Sequence, residues 1–509
     1  MLAVITFDAV SLRMLEQLLD EGRLPVLQEL RRRGEWTRLR TPGRHFSAGV
    51  YQELFSGTEL AANGLYNPFQ WSASEQRLRY MLDRPAPEAV WDRLAGAGKR
   101  SLVLDPWEAR RAEQDAGTVI SGWQFTNRFT LRSWSVPDGL NSPLVSRFGP
   151  PPTVEEVFGR PSLSRLKRLR RELVSAPARL ADAATGLIRK EPFDLMWIGI
   201  PAVHIAGHQL MDPGSQLWDA ASGARGVSAE DRHELETALV DVYTAADAAI
   251  GRLLEAMPAD TDVIVLSSVG MDVNTSRADL LPGMLRSVLR GRADPERGDA
   301  GGTWIWRLRA RLPTDIRTRV AHSLPGGLLY DLTARLELRG VDWTQTRAFA
   351  LPTDLHGYVR LNIGGREREG IVEPEDADEL MDEIAEGLLT FRDPDGGPAV
   401  EAVERVVDVL GDGPGLHHMP DLVVRWADRP ATRLAGVGSP KFGDVARRGG
   451  GSGRSGNHRA DAWALIVPGT CRRRETTGPP SLIDFAPTVC SLLDVDRDGL
   501  VGEPLLEPR

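Results

Sequence analysis

The stretch that most constrains the fold runs from Pro192 to Asp212, with the sequence PFDLMWIGIPAVHIAGHQLMD. Its first half, FDLMWIGI, is a short apolar run bounded by Pro192 and Pro201, which is typical of a strand buried on both faces. His204 and His208 follow that run, and their i, i+4 spacing puts both imidazoles on one face of a helical turn. Ligands of open α/β sheets bind at the carboxyl ends of strands, so the pair lies where a metal site is expected. Taken alone, such a pair is more often explained by chance or packing.

Length and charge restrict the class of protein. A chain of 509 residues can form one large α/β domain or two domains. The net charge of −9 argues against a general nucleic-acid-binding protein, because phosphate backbones require a basic surface. Cys471 and Cys490 are too few for a disulfide framework and lack the spacing of zinc ligands.

The amino terminus predicts the compartment. Met1 leads directly into an apolar strand, without the basic segment and cleavage site of a signal peptide. No apolar run approaches the roughly 18 residues of a membrane span. We therefore expect a soluble, cytoplasmic protein without a membrane or nucleic-acid partner; the sequence does not predict its oligomeric state.

Two segments near the amino terminus supply further candidate site residues. The run LAVITF predicts a buried strand, and Asp8 follows it, where a carboxylate can bind a metal or cap the next helix. Thr41 to Phe69 predicts a loop and then a short helix, with Ser47 at the start of that helix. Ser47 could act as a nucleophile on a phosphate held by the helix amides, or serve only as the N-cap.

The rest of the chain predicts an α/β core with one insertion. Residues 1–276 and 341–509 follow strand and helix patterns, whereas the irregular segment 277–340 is interpreted as a cap over the site. Residues 441–456 are rich in Gly and Arg and predict a mobile loop, which could cover an anion or be a disordered surface loop. This loop leads to His458, just before another buried strand. The basic segment 162–173 predicts an amphipathic helix with a solvated face or, less favoured, a contact with an acidic surface.

Several of these segments, in this order, resemble the alkaline phosphatase superfamily, in particular its type I phosphodiesterase/nucleotide pyrophosphatase branch. The segments are VITFDAVSLRMLEQLLDEGRLPVLQELRRRG, GTVISGW, VDWTQTRAFALPTDLHGYVRLNIGGREREGIV, MPDLVVRW, GNHRADAWALIVPG and SLIDFAPTVCSLLDV. The resemblance implies an α/β fold with a central mixed, mostly parallel sheet flanked by helices. It also implies two metal ions, usually zinc, and a Ser or Thr nucleophile that attacks phosphorus in line.

The resemblance assigns site residues by position. Asp8 matches the first aspartate of the family, and Ser47 falls at the nucleophile. His208 and His458 match two histidines of the metal site that does not carry the nucleophile. His204 stands where the family has an aspartate ligand of that same site.

The second metal site departs from the family pattern. The Ser-Asp-His-Gly motif of the family reads Ser-Ser-Val-Gly here, so Ser268 and Val269 replace both ligands that it gives to the nucleophile's metal. Asp272 is a possible substitute. His204, His208 and His458, with an open fourth position, are the ligand set of a catalytic zinc. We therefore expect one divalent metal, zinc by its ligands, and no second metal.

Three classes of function remain open. The first is a metal-dependent hydrolase or transferase of a phosphate ester, phosphodiester or sulfate-like ester, in which Asp8 orients or deprotonates Ser47 or water. The second is a pseudoenzyme that binds a phosphorylated ligand or partner without turnover. The third is non-hydrolytic biosynthetic chemistry at a three-histidine metal, because fold alone does not fix function.

Overall fold

The computed structural model describes residues 1–81, 84–112, 117–125, 133–152, 161–217, 227–291, 341–353, 355–447 and 453–509. The strands are β1 (Leu2–Thr6), β2 (Ala9–Val10), β3 (Glu35–Arg38), β4 (Phe69–Ser72), β5 (Arg77–Tyr80), β6 (Ser101–Leu104), β7 (Gly117–Ser121), β8 (Trp134–Val136), β9 (Leu195–Gly199), β10 (Asp262–Ser267), β11 (Val269–Val273), β12 (Ala348–Leu351), β13 (Gly357–Leu361), β14 (Val400–Arg405), β15 (Leu422–Trp426), β16 (Gly436–Ser439), β17 (Gly443–Ala446), β18 (Gly456–Arg459), β19 (Trp463–Val467), β20 (Cys471–Arg473) and β21 (Leu506–Pro508).

The helices alternate with these strands over most of the chain. They are α1 (Leu12–Asp20), α2 (Pro25–Arg33), α3 (Val50–Ser56), α4 (Leu60–Asn63), α5 (Val90–Gly96), α6 (Asn141–Phe148), α7 (Leu163–Ile188), α8 (Pro201–Leu210), α9 (Pro213–Gln216), α10 (Ala229–Glu236), α11 (Ala238–Ala256), α12 (Leu281–Arg290), α13 (Ala377–Leu388), α14 (Val406–Leu410) and α15 (Phe485–Leu492). Short 3-10 turns span Pro42–Arg44, Pro374–Asp376, Pro414–His418 and Leu482–Asp484.

The central sheet has eight strands in the order β3-β19-β10-β1-β9-β6-β7-β8. The inner strands β10, β1, β9, β6 and β7 are parallel, whereas β19, β3 and β8 join through antiparallel pairs. Strands β1, β9 and β10 are buried along their whole length, as their apolar runs predict. The predicted fold class, a mixed and mostly parallel sheet flanked by helices, is confirmed.

Helices bury both faces of this sheet. The apolar sides of α1, α2, α7, α8 and α11 pack on one face. Helices α3, α5 and α15 pack on the other face. The carboxyl ends of β1, β9 and β6 therefore lie side by side at one edge of the sheet, and the segments that follow them build the candidate site.

A second, antiparallel sheet has the strand order β12-β13-β15-β14. Helices α12 and α13 share a hydrophobic core with one face of this sheet. Aromatic side chains that include Phe46, Trp71 and Tyr358 share another core with it. The second sheet thus lies beside the loop that carries Ser47.

Neither Asp8 nor Ser47 is the N-cap of the helix that follows it, so both of these interpretations are wrong. Helix α1 is capped by Ser11, whose hydroxyl accepts a hydrogen bond from the Met14 amide at 3.4 Å, so Asp8 is not its cap. Gly49 is the N-cap of α3, and Ser47 lies in the preceding turn.

The predicted cap and loop are only partly described. Residues 292–340 lie outside the described residues, whereas α12 packs into the core of the second sheet. In the Gly/Arg-rich segment, β17 pairs antiparallel with β16, and residues 448–452 lie outside the described residues.

The basic helix predicted at 162–173 is the first part of α7, and it contacts an acidic surface within the chain. Lys167 Nζ lies 2.6 Å from Asp231 and 2.8 Å from Glu234. Arg170 lies 2.6 Å from Asp241. Across the described part of the chain, no helix is long and apolar enough to span a membrane.

Candidate functional site

Three histidines from two elements converge beside the end of β9. Helix α8 begins at Pro201 directly after this strand and carries His204 and His208, both buried. His458 lies on β18. The Nε2 atom of His204 lies 3.0 Å from Nε2 of His208 and 2.9 Å from Nε2 of His458. One nitrogen from each ring lies within 4.8 Å of the other two, close enough to share one ion.

Strand β18 is held against α8 by the backbone around Gly456. The Ser455 amide donates to the His208 carbonyl at 2.8 Å, and the Gly456 carbonyl lies 2.9 Å from His208 Nδ1. A Cβ atom on Gly456 would lie 2.2 Å from the Gly207 carbonyl oxygen, so only glycine permits this approach. The Gly456 carbonyl can only accept, so His208 Nδ1 must carry the proton, which leaves the Nε2 lone pair facing the other histidines.

Burial keeps the two helical imidazoles neutral. It lowers the pKa of His204 well below the ordinary value, and the nearby charges of His458 and Arg454 lower it further. Burial also lowers the pKa of His208 well below its ordinary value, and the nearby charge of Arg454 lowers it further. Neutral imidazoles are the form that binds a metal.

The Trp107 ring covers one side of this centre. Its centroid lies 4.1 Å from that of His204, and it stacks on Phe125 at 4.7 Å. His204 Nδ1 is buried and has no hydrogen-bond partner among the described residues.

The positions of the three histidine nitrogens suit a shared divalent metal better than hydrogen bonds among the three rings. A neutral His204 can donate at most one proton from Nε2, yet that atom lies within 3.0 Å of two other ring nitrogens. Tetrahedral zinc with bonds of roughly 2.0–2.1 Å places its ligand nitrogens roughly 3.3 Å apart. The two distances from His204 Nε2, 3.0 and 2.9 Å, lie within about 0.4 Å of that spacing.

Asp8 lies at the end of β1 but is not a member of the three-histidine group. Its backbone is left-handed, with φ of 58°, and its side chain is buried. Thr6 donates to Oδ1 at 3.3 Å, whereas Oδ2 has no hydrogen-bond partner among the described residues. Burial raises the pKa of Asp8 well above its usual range; the Thr6 hydrogen bond opposes this and the charge of Asp105 adds to it.

Ser268 and Val269, which stand where the resemblance would place two metal ligands, have structural roles. The Ser268 hydroxyl donates to the Asp8 carbonyl oxygen at 3.0 Å, and the Ser268 carbonyl accepts from the Thr41 hydroxyl at 3.2 Å. Val269 is buried under Gly43, where a Cβ atom would lie 2.6 Å from it. Asp272 does not take their place, because it faces Arg13 at 3.5 Å.

Ser47 lies in the turn before α3, partly buried, and its side chain makes no hydrogen bond within the described residues. The nearby His45 is engaged elsewhere: its Nε2 lies 3.1 Å from Glu404, which also contacts Arg425. Burial lowers the pKa of His45, and the Glu404 carboxylate partly offsets this. The structure therefore brings the three histidines together, and within the described residues no side-chain hydrogen bond links Ser47 to a base.

The sequence interpretation missed Asp105, which lies near Asp8. It follows β6, has a φ of 46°, and accepts hydrogen bonds from the amides of Trp123 and Gln124 at 2.8 and 2.7 Å. Burial raises the pKa of Asp105 to about 7. The signal was present, because SLVLDPW has an aspartate just after a buried strand, as LAVITFD does.

Comparison with solved structures identifies the fold. The structure of the alkaline phosphatase PafA superposes with a TM-score of 0.53 at 12% identity, covering 99% of this chain and 97% of that chain. The structure of phosphonoacetate hydrolase from Sinorhizobium meliloti, with bound phosphonoformate, gives 0.48 at 13% identity, covering 96% and 94%. Murine ectonucleotide pyrophosphatase/phosphodiesterase 5 gives 0.47 at 11% identity, covering 99% and 97%.

No family model matches the sequence, and no curated protein matches it. The similarity to PafA spans almost the whole of both chains. The chain therefore has the fold of the alkaline phosphatase superfamily, and the resemblance stated from its sequence is confirmed for the fold.

Proposed function

We propose that this protein is a metal-dependent hydrolase of phosphate esters or phosphodiesters with a single metal site made by His204, His208 and His458. The observation that carries the proposal is the convergence of three Nε2 atoms: those of His208 and His458 lie 3.0 and 2.9 Å from that of His204. The proposal includes zinc as the metal, because neutral imidazoles with an open fourth position suit it.

The surrounding residues prepare this site in three ways. The Gly456 carbonyl fixes the ring of His208 and its tautomer, which orients the ligating nitrogen. Burial keeps His204 and His208 unprotonated at neutral pH. Trp107 covers His204 and restricts access of water from that side. A bound divalent ion would supply Lewis-acid stabilisation of the phosphoryl oxygens.

One observation favours the alternative of a binding protein without turnover. Val269 and Ser268 occupy the positions from which related enzymes bind the nucleophile's metal, and both serve packing and backbone hydrogen bonds. A protein that lost this half of the site could retain a phosphorylated ligand at the histidines without cleaving it.

Hydrolysis by the zinc-loaded full chain separates the two functions. We expect release of p-nitrophenol from bis(p-nitrophenyl) phosphate or p-nitrophenyl phosphate, abolished by His208→Ala. His233→Ala is the matched control, because this histidine is exposed on α10. No hydrolysis by protein with bound zinc would favour the binding protein, and full activity of His208→Ala would contradict the proposed site.

A further inference from the structure

A fourth histidine, His356, lies where the second sheet meets the loop that carries Ser47. It directly precedes β13, and the neighbouring Leu355 carbonyl accepts hydrogen bonds from Ser276 Oγ at 2.7 Å and Trp426 Nε1 at 2.8 Å. The backbone at His356 is therefore fixed by two buried donors.

The segment around His356 packs against the loop that carries Ser47. The Tyr358 hydroxyl donates to the His45 carbonyl at 2.8 Å, and its ring stacks on Phe46 at a centroid distance of 5.5 Å. His356 itself lies in the bend before β13, and its ring lies beside the Gly43 backbone of the same loop. The charges of His45 and His458 both act on its ring. The Pro42–Arg44 turn of that loop contacts β18, the strand of His458.

Both ring nitrogens of His356 are buried, and neither has a hydrogen-bond partner among the described residues. The Gly43 backbone lies nearby and favours the protonated ring, but it does not reach hydrogen-bond geometry. Buried polar groups are nearly always paired with protein, water or ligand. Burial lowers the pKa of His356 to about 3, so the ring is neutral at physiological pH and presents one N–H donor.

We propose that His356 contacts the substrate, and that its ring N–H donates a hydrogen bond to a non-bridging oxygen of the phosphoryl group bound at the three-histidine centre. This inference rests on the proposed function, because it names a residue that would contact its substrate. A neutral donor stabilises a developing negative charge without repelling the metal ion that binds the same group.

Phosphate binding tests this contact without requiring turnover. The zinc-loaded full chain is titrated with inorganic phosphate by calorimetry. We expect His356→Phe to weaken binding about 10-fold or more, the loss of one hydrogen bond to a charged group. His356→Gln, whose amide can still donate, should retain part of the affinity. Zinc content should not change in either variant, and His233→Gln should bind phosphate as the wild type does.

A second measurement uses the wild-type protein in case a variant does not fold. With isotope-labelled histidine, phosphate should shift the NMR resonance of a neutral imidazole that does not bind zinc. The inference is overturned if His356→Phe binds phosphate with wild-type affinity, if no such resonance shifts, or if wild-type protein binds no phosphate at millimolar concentration. Failure of the proposed function gives a different result, namely that the zinc-loaded wild type does not hydrolyse diesters.

Discussion

The close approach of β18 to α8 makes Gly456→Ala a sharp test of the metal centre, because it removes no ligand. The new Cβ atom would lie 2.2 Å from the Gly207 carbonyl oxygen. The strand must move outward by about 0.8 Å to bring this contact from 2.2 Å to 3.0 Å, the shortest that real Cβ atoms show. His458 lies two residues further along the same strand and moves with it.

A shift of this size exceeds what a metal site tolerates, since metal–ligand distances lie within roughly 0.2 Å of their ideal values. It also disturbs the hydrogen bond between Gly456 and His208, and loss of such a partner typically lowers metal affinity roughly 10–100-fold. We therefore expect Gly456→Ala to bind zinc at least about 10-fold more weakly. Overpacking should also lower the free energy of unfolding by roughly 1–3 kcal/mol.

Competition with a chromophoric chelator measures the zinc affinity of the folded protein. Gly478→Ala is the matched control, because a Cβ atom there would meet nothing within 4 Å. Its zinc affinity should equal that of the wild type. If Gly456→Ala is folded and binds zinc as tightly as the wild type, the reasoning that couples β18 to the metal centre is refuted.

Two further predictions follow from individual side chains. Ser47→Ala should lower phosphodiesterase activity by no more than about 10²-fold, roughly what one positioned proton-transfer group contributes. The reason is that Ser268 and Val269 stand where the resemblance would place the ligands of a metal at Ser47. Total loss of activity with zinc retained, or a trapped phosphoserine, would contradict this. His356 has a folded-state pKa of about 3 against 6.5 unfolded, so it destabilises the fold as pH falls below 6.5. Between pH 7 and pH 5 the loss is about 2 kcal/mol, and urea unfolding of metal-free His356→Gln should lack this part of the acid sensitivity. Equal acid sensitivity of variant and wild type would show that His356 is not buried as a neutral ring.

The sheet could be predicted from the sequence because its inner strands are buried runs of mostly apolar residues. LAVIT, LMWIG and DVIVLS form β1, β9 and β10. Short runs that mix valine with charged residues do not show whether they form a strand or a helix. The sequence AVERVVDVL suggests one continuous strand, yet Val406–Leu410 forms a helical turn, because five residues do not distinguish the two periods.

The candidate site could be predicted only where ligands are close in sequence or match a family position. His204 and His208 share one helix, and His458 was found through the resemblance. His356 could not be found, because its place beside the site depends on contacts between distant segments, whereas Asp105 had a signal in its position after a buried strand. The left-handed backbone of Asp8 and Asp105 also has no signal in the sequence.

Metal content tests the central claim most directly. The full chain is purified without chelator, and its metals are quantified by mass spectrometry beside His458→Ala. We expect one zinc ion per wild-type chain and none in the variant, and a chelator should lower the melting temperature of the wild type alone, because an ion that binds only the native state stabilises it. Two ions per wild-type chain, or the same metal content and the same chelator effect in His458→Ala, would contradict a single three-histidine centre.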